Sequence, residues 1–111
     1  MEQSAYCKLE IFIPESHLEP LRQVLQREDA GHIGQYDSCL SYSPVTSCWR
    51  PLAGTNPYLG TVGEVCTAQE LKVEVTCRCV DAPRIVAAVK AVHPYEEPVI
   101  FVIPVAYTGL S

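Results

Sequence analysis

A strand–helix–strand order that occurs twice predicts an α+β fold for this 111-residue chain. An alternating apolar segment precedes each of two apolar-faced helices, turn-forming Gly or Pro follows each helix, and an apolar run closes the chain. The resulting order, βαββαβ, is the ferredoxin-like arrangement: a four-stranded antiparallel sheet with both helices on one face. At this length the chain is expected to be one domain, 1–111, large enough for one core but not for a second, catalytic domain.

Each element has its own signal. The first strand spans Tyr6 to Ile13, with Cys7, Leu9 and Ile11 on one side, and Pro14 ends it. Ser16 with Glu19 three residues on is a capping-box signature, and Leu18, Leu21, Val24 and Leu25 recur at helical spacing. Pro20 is tolerated in the first turn, and Gly31 suits the left-handed exit at about residue 30. Residues 36–49 favour strand, but Pro44 interrupts the ladder and points to a bulged or edge strand. Pro51, Gly54, Asn56-Pro57, Gly60 and Gly63 make 51–63 a long loop. Leu71, Val73, Val75, Cys77 and Cys79 then alternate with polar residues as a half-buried strand over 71–79. Asp81 caps the second helix, Pro83 lies in its first turn, and His93-Pro94 ends it. The last strand covers 98–105.

The formal net charge of −5 and the eight scattered Lys and Arg argue against nucleic acid as a partner. The N-terminus has neither a basic nor an apolar leader region, and no apolar run approaches the ~18 residues of a membrane span. A soluble, cytoplasmic protein is expected. Six cysteines without a secretion signal are then expected as free thiols, with Cys7, Cys77 and Cys79 packed as small core residues.

The closing run Val99-Ile100-Phe101-Val102-Ile103-Pro104-Val105 is apolar on both faces, so both need cover. The helices supply one cover and a second subunit is the simplest source of the other, which predicts a closed symmetric homo-oligomer.

Three turn segments carry the candidate functional residues. Gly31-His32-Ile33-Gly34-Gln35-Tyr36-Asp37-Ser38-Cys39 sets a histidine between two glycines, with Cys39 as a second transition-metal ligand type. In His93-Pro94-Tyr95-Glu96-Glu97-Pro98, His93 and Glu96 or Glu97 are spaced to converge on an ion, although two prolines alone explain a rigid turn. The loop 51–63 contributes Asn56 and Tyr58. His17, at a helix start, is expected in solvent and is no candidate. No nucleophile elbow and no phosphate-binding Gly-Lys-Ser/Thr motif is present, which weighs against an enzyme.

These motifs together resemble a known family. The patterns Gly31-His32-Ile33-Gly34-x-Tyr36-x-x-Cys39, Arg50-Pro51-Leu52-x-Gly54-x-Asn56-Pro57-Tyr58-x-Gly60-x-Val62-Gly63-x-Val65 and His93-Pro94-Tyr95-Glu96-Glu97-Pro98 are similar to the inserted middle domain of NGG-interacting-factor-three-like, dinuclear-metal-centre proteins. The last segment and its strand also look like the end of CutA, the trimeric divalent-cation tolerance protein. Both resemblances imply a PII/CutA-like version of the ferredoxin-like fold, here as a stand-alone homologue of the insert. The dinuclear metal ligands of the larger family lie in flanking domains and include paired histidines, which this chain lacks, so its proposed hydrolase activity does not carry over. The CutA resemblance implies a trimer and divalent-metal binding.

The function expected from all this is a non-enzymatic binding or regulatory module, a homotrimer holding a small ligand, a metal ion or a protein partner at subunit clefts. Candidate ligand-binding residues are Gly31, His32, Gly34, Tyr36, Asn56, Tyr58 and Tyr95. The first alternative is a metal-handling protein using His32, Cys39, His93 and Glu96 or Glu97, with a divalent cation as its cofactor. An enzyme with an unrecognised site is the second.

Overall fold

The computed structural model describes residues 4–110; residues 1–3, part of the N-terminal stretch read above for a leader, and residue 111 lie outside the described residues. The elements run β1 (Tyr6–Ile13), α1 (Leu18–Arg27), β2 (Ser41–Trp49), β3 (Cys66–Arg78), α2 (Ala82–Val92) and β4 (Ile100–Pro104). The sheet order is β2-β3-β1-β4, every neighbouring pair antiparallel. This is the expected βαββαβ fold.

Register follows from burial. Cys7, Leu9, Ile11 and Ile13 of β1 pair with Cys77, Val75, Val73 and Leu71 of β3, and all eight are buried. Onto this surface pack Leu21, Val24 and Leu25 of α1 and Ala82, Ile85 and Val89 of α2. Sealing one such aliphatic side chain from water is worth about 1.5–3 kcal/mol, so the odd-numbered face dictates which side the helices cover. The even-numbered face carries Lys8, Glu10, Lys72 and Glu74, whose ion pairs run across the bare side of the sheet.

Pro44 lies in edge strand β2 opposite Leu71, and the register passes through it without a bulge. An edge strand leaves alternate N–H groups without a ladder partner, so a missing N–H is tolerated there. Residues 36–40, expected in this strand, lie outside it: Tyr36 bridges Ile33 across a turn at 34–35, residues 37–40 are irregular, and β2 begins at Ser41. β3 starts at Cys66, before the expected residue 71, because it is templated by β2 as well as β1.

Several local expectations are corrected. The Ser16/Glu19 capping box does not form: a 3-10 turn over Glu15–His17 precedes α1, and Ser16 Oγ bonds His17 Nδ1 at 2.9 Å. Asp81 occupies the N-cap of α2 without a side-chain cap; its carboxylate meets Arg84 at 3.4 Å. Cys7 and Cys79 are joined in a disulfide across 72 residues of chain, so the free-thiol expectation fails for this pair. Cys79 begins a 3-10 turn rather than ending β3, and its backbone N–H donates to Ala5 at 2.8 Å, which draws it beside β1. Cys39, Cys48, Cys66 and the buried Cys77 are free.

Gly31 joins the helical layer to the sheet. Its N–H donates to the Thr76 carbonyl at 2.8 Å and its carbonyl accepts from Cys39 at 3.0 Å, at a φ of +79°. A Cβ there would collide with the Cys39 carbonyl, whereas one at Gly34, also at positive φ, meets open space. Gly31→Ala is therefore expected to cost roughly 1–3 kcal/mol of backbone strain plus the steric term, and more than Gly34→Ala. Urea denaturation of the two variants checks the ordering; equal costs would contradict it.

Candidate functional site

Two of the three turn segments meet at one end of the sheet. The loop 50–65 closes on itself through Gly63 N–H to the Pro51 carbonyl at 2.8 Å and Thr55 Oγ1 to the Leu52 carbonyl at 2.7 Å. It is tied to the 93–98 turn where the Asn56 N–H donates to Glu96 Oε2 at 3.0 Å. Tyr95 lies 5.7 Å from the Trp49 ring and 5.8 Å from the Tyr58 ring, centroid to centroid. Between these rings, Phe12 and the start of β4 is a cavity of about 600 Å³, also edged by Glu70, Glu96 and Glu97. That size lies in the range of small-molecule sites.

His93 holds the turn in place. It is 8% exposed; Nε2 donates to the Phe12 carbonyl at 2.7 Å and Nδ1 accepts the Tyr95 N–H at 3.1 Å. That pairing fixes the neutral Nε2–H tautomer and engages both nitrogens, so neither has a lone pair left for a metal in this arrangement. Burial pushes its pKa below the ordinary imidazole value, against an opposing pull from the Phe12 carbonyl and Glu70.

Glu70 and Trp49 escaped the sequence reading. Strand alternation places Glu70 with Lys72 and Glu74 on the bare face, where a carboxylate is unremarkable. It is nevertheless only 5% exposed. Beside it the Tyr95 hydroxyl is buried without a well-formed hydrogen bond among the described residues, and burial, then the adjoining Glu70 carboxylate, push that phenol above its usual value. The only advance signal was the chain's single Trp standing directly before a turn-rich loop. His17, expected in solvent, is half-buried and edge-on to Tyr58 at 6.0 Å.

The Gly31 to Cys39 segment lies elsewhere. Gly31 is bonded to Thr76 and His93 to Phe12, whose β3 partner is Lys72, so these anchors are roughly 13 Å apart along the strand. His32 bonds Asp29 at 2.9 Å and the Gly34 carbonyl at 3.1 Å, both acceptors, and the Asp29 carboxylate raises its pKa. Tyr36 is 74% exposed, and Cys39 borders a separate cavity beside Lys8 and Glu74. Among the described residues no three His, Cys, Asp or Glu side chains group as a metal site. His32 and Cys39 are therefore not brought to His93, Glu96 and Glu97 within one chain.

The depressed pKa of His93 gives stability a sign. The unfolded imidazole, near 6.5, binds protons before the folded one, so stabilisation is full above that pH and is lost as pH falls toward the folded value. His32, raised, acts oppositely, but it is exposed and weakly coupled. Urea midpoints are expected to fall between pH 7 and pH 5, and His93→Gln to flatten that slope. An unchanged slope in the variant would refute the assignment.

Residues 38–109 match the family described as CutA1 divalent ion tolerance protein. The chain is 39% identical over 102 residues to a GTP cyclohydrolase 1 type 2 homolog of Halalkalibacterium halodurans, covering 92% of this chain but only 27% of that protein. A Bacillus cereus protein related to NIF3 superposes with a TM-score of 0.82 at 27% identity, over all of this chain and 29% of that one. The periplasmic divalent cation tolerance protein CutA from Archaeoglobus fulgidus superposes with a TM-score of 0.70 at 21% identity, over 93% and 86% of the two chains. The chain thus spans about a quarter of the curated relative it matches and nearly all of a CutA protein. On its match over residues 38–109, it belongs to the CutA1 divalent ion tolerance protein family.

Proposed function

We propose that this chain is a non-enzymatic CutA/PII-like binding module, a homotrimer that holds a small ligand, a metal ion or a partner protein at clefts between subunits. One observation carries the reading: Val99, just before edge strand β4, and Phe101 within it line the cavity and are also 47% and 52% exposed, beside Ile103 at 39%. Phe101 pairs with Glu10 and Ile103 with Lys8, so this apolar strip extends onto the bare face. A second copy laid against it covers the strip and walls the open side of the cavity in one step. The expected location is cytoplasmic; among the described residues no helix is long and apolar enough to cross a membrane.

The family description favours a second reading, in which His32, Cys39, His93 and Glu96 or Glu97 handle a divalent cation. Such a site needs residues from two copies or the release of a His93 hydrogen bond. The name of the longer relatives suggests a third, enzymatic reading, for which this chain supplies only a quarter of the length.

Light scattering at micromolar concentration is expected to give three chain masses, with Phe101→Glu shifted to monomer; a wild-type monomer would sink the assembly. For the second reading, tag-free protein is expected to retain Zn²⁺, Cu²⁺ or Ni²⁺ and to melt higher with it, by about 2.7 kcal/mol of stabilisation at a hundredfold excess over Kd. No retained metal and no shift would reject it.

A further inference from the structure

The cavity holds an imbalance that its apolar walls make costly. Glu70 is only 5% exposed, opens onto the cavity and makes no ion pair among the described residues; the group beside it is the neutral Tyr95 hydroxyl. A buried carboxylate without a cationic partner is expensive, and the Tyr95 hydroxyl beside it is buried without a well-formed hydrogen bond among the described residues. Glu96 and Glu97 add negative charge at the rim. Arg50 is the one cationic side chain in the lining, and it is exposed and makes no ion pair among the described residues. His93, neutral and committed to Phe12 and Tyr95, supplies no charge.

Three aromatic rings stand around that carboxylate, Tyr95 within 6 Å of both Trp49 and Tyr58. Ring faces attract cations, by about 0.5–2 kcal/mol as water is excluded. From the buried Glu70 carboxylate, the buried Tyr95 hydroxyl and this ring cluster, we propose that the cavity is a site for a small organic cation, a primary ammonium carried on an apolar or aromatic body. The ammonium donates to Glu70 and to the Tyr95 oxygen, supplying the missing countercharge, while the phenol proton is left to turn to the carboxylate. A quaternary ammonium has no N–H to give them. The body fills the space between Trp49, Tyr58 and Pro51, where a bare metal ion leaves the apolar walls uncovered.

This inference rests on the cavity being the ligand cleft of the proposed binding module, and the test separates the two. Trp49 is the only tryptophan, so its fluorescence reports directly on the cavity. The wild-type protein is titrated with phenethylamine, with 2-phenylethanol and phenylacetate as its neutral and anionic counterparts, and with Zn²⁺. Saturable change with the amine is expected, the alcohol and acid binding at least tenfold more weakly. Glu70→Gln is expected to weaken the amine roughly 10- to 100-fold, the usual worth of a hydrogen bond to a charged group, while its melting temperature holds or rises. Equal binding of amine and alcohol, or an amine affinity indifferent to Glu70→Gln, overturns the cation assignment and leaves the cleft. Saturation by Zn²⁺ in preference to the amine overturns it in favour of an inorganic ion. If nothing binds at any concentration, the cleft reading falls too.

Discussion

The antiparallel pairing of β1 with β3 is the constraint on which the rest of the molecule depends. Eight core residues sit opposite one another along it, and a one-residue slip of either strand would turn its four to the bare side and bring its own charges, Glu10 of β1 or Lys72 and Glu74 of β3, under the helices. Because slippage would bury charges, the register is strongly specified. From it follow the face that receives α1 and α2, the end of the sheet at which each loop emerges, and the central position of two strands that leaves β2 and β4 as edges.

Edge placement gives β2 and β4 different characters. β2 carries Pro44, which lacks an N–H to offer a further strand, so this edge is blunted against further pairing. β4 is short, apolar and exposed on both sides, with Phe101 packed edge-on to Phe12 at 6.4 Å. In the proposed assembly this open edge is the contact surface, and it lies beside the proposed ligand cleft.

At that end the 93–98 turn and the 50–65 loop depend on each other. His93 bonds across to β1, Tyr95 packs at a tilt against the loop's Tyr58, and Glu96 receives the loop's Asn56 N–H. Removing the imidazole would leave the Phe12 carbonyl and the Tyr95 N–H unpaired and loosen the ring cluster. In this arrangement both ring nitrogens of His93 hold the turn, a role that its neighbourhood of Pro94 and Glu96 in sequence did not distinguish from ligation.

Period-two alternation over Tyr6 to Ile13 and 71–79, helical spacing from Leu18 to Leu25, and proline and glycine at the exits were enough to determine six elements, their order and the core face. They sufficed because burial against water acts on local patterns. Where the chain's partners are distant in sequence, the tertiary structure alone decided the outcome. The loop folding over the sheet buried Glu70 and made Trp49 a cavity wall; the approach of Ala5 to Cys79 closed a disulfide over 72 residues. The strand length between Thr76 and Lys72 kept His32 and Cys39 away from His93. A residue's type and spacing set what it is able to bind. Which groups stand beside it, and whether its lone pairs are already used, depend on contacts between segments tens of residues apart, which no local pattern records.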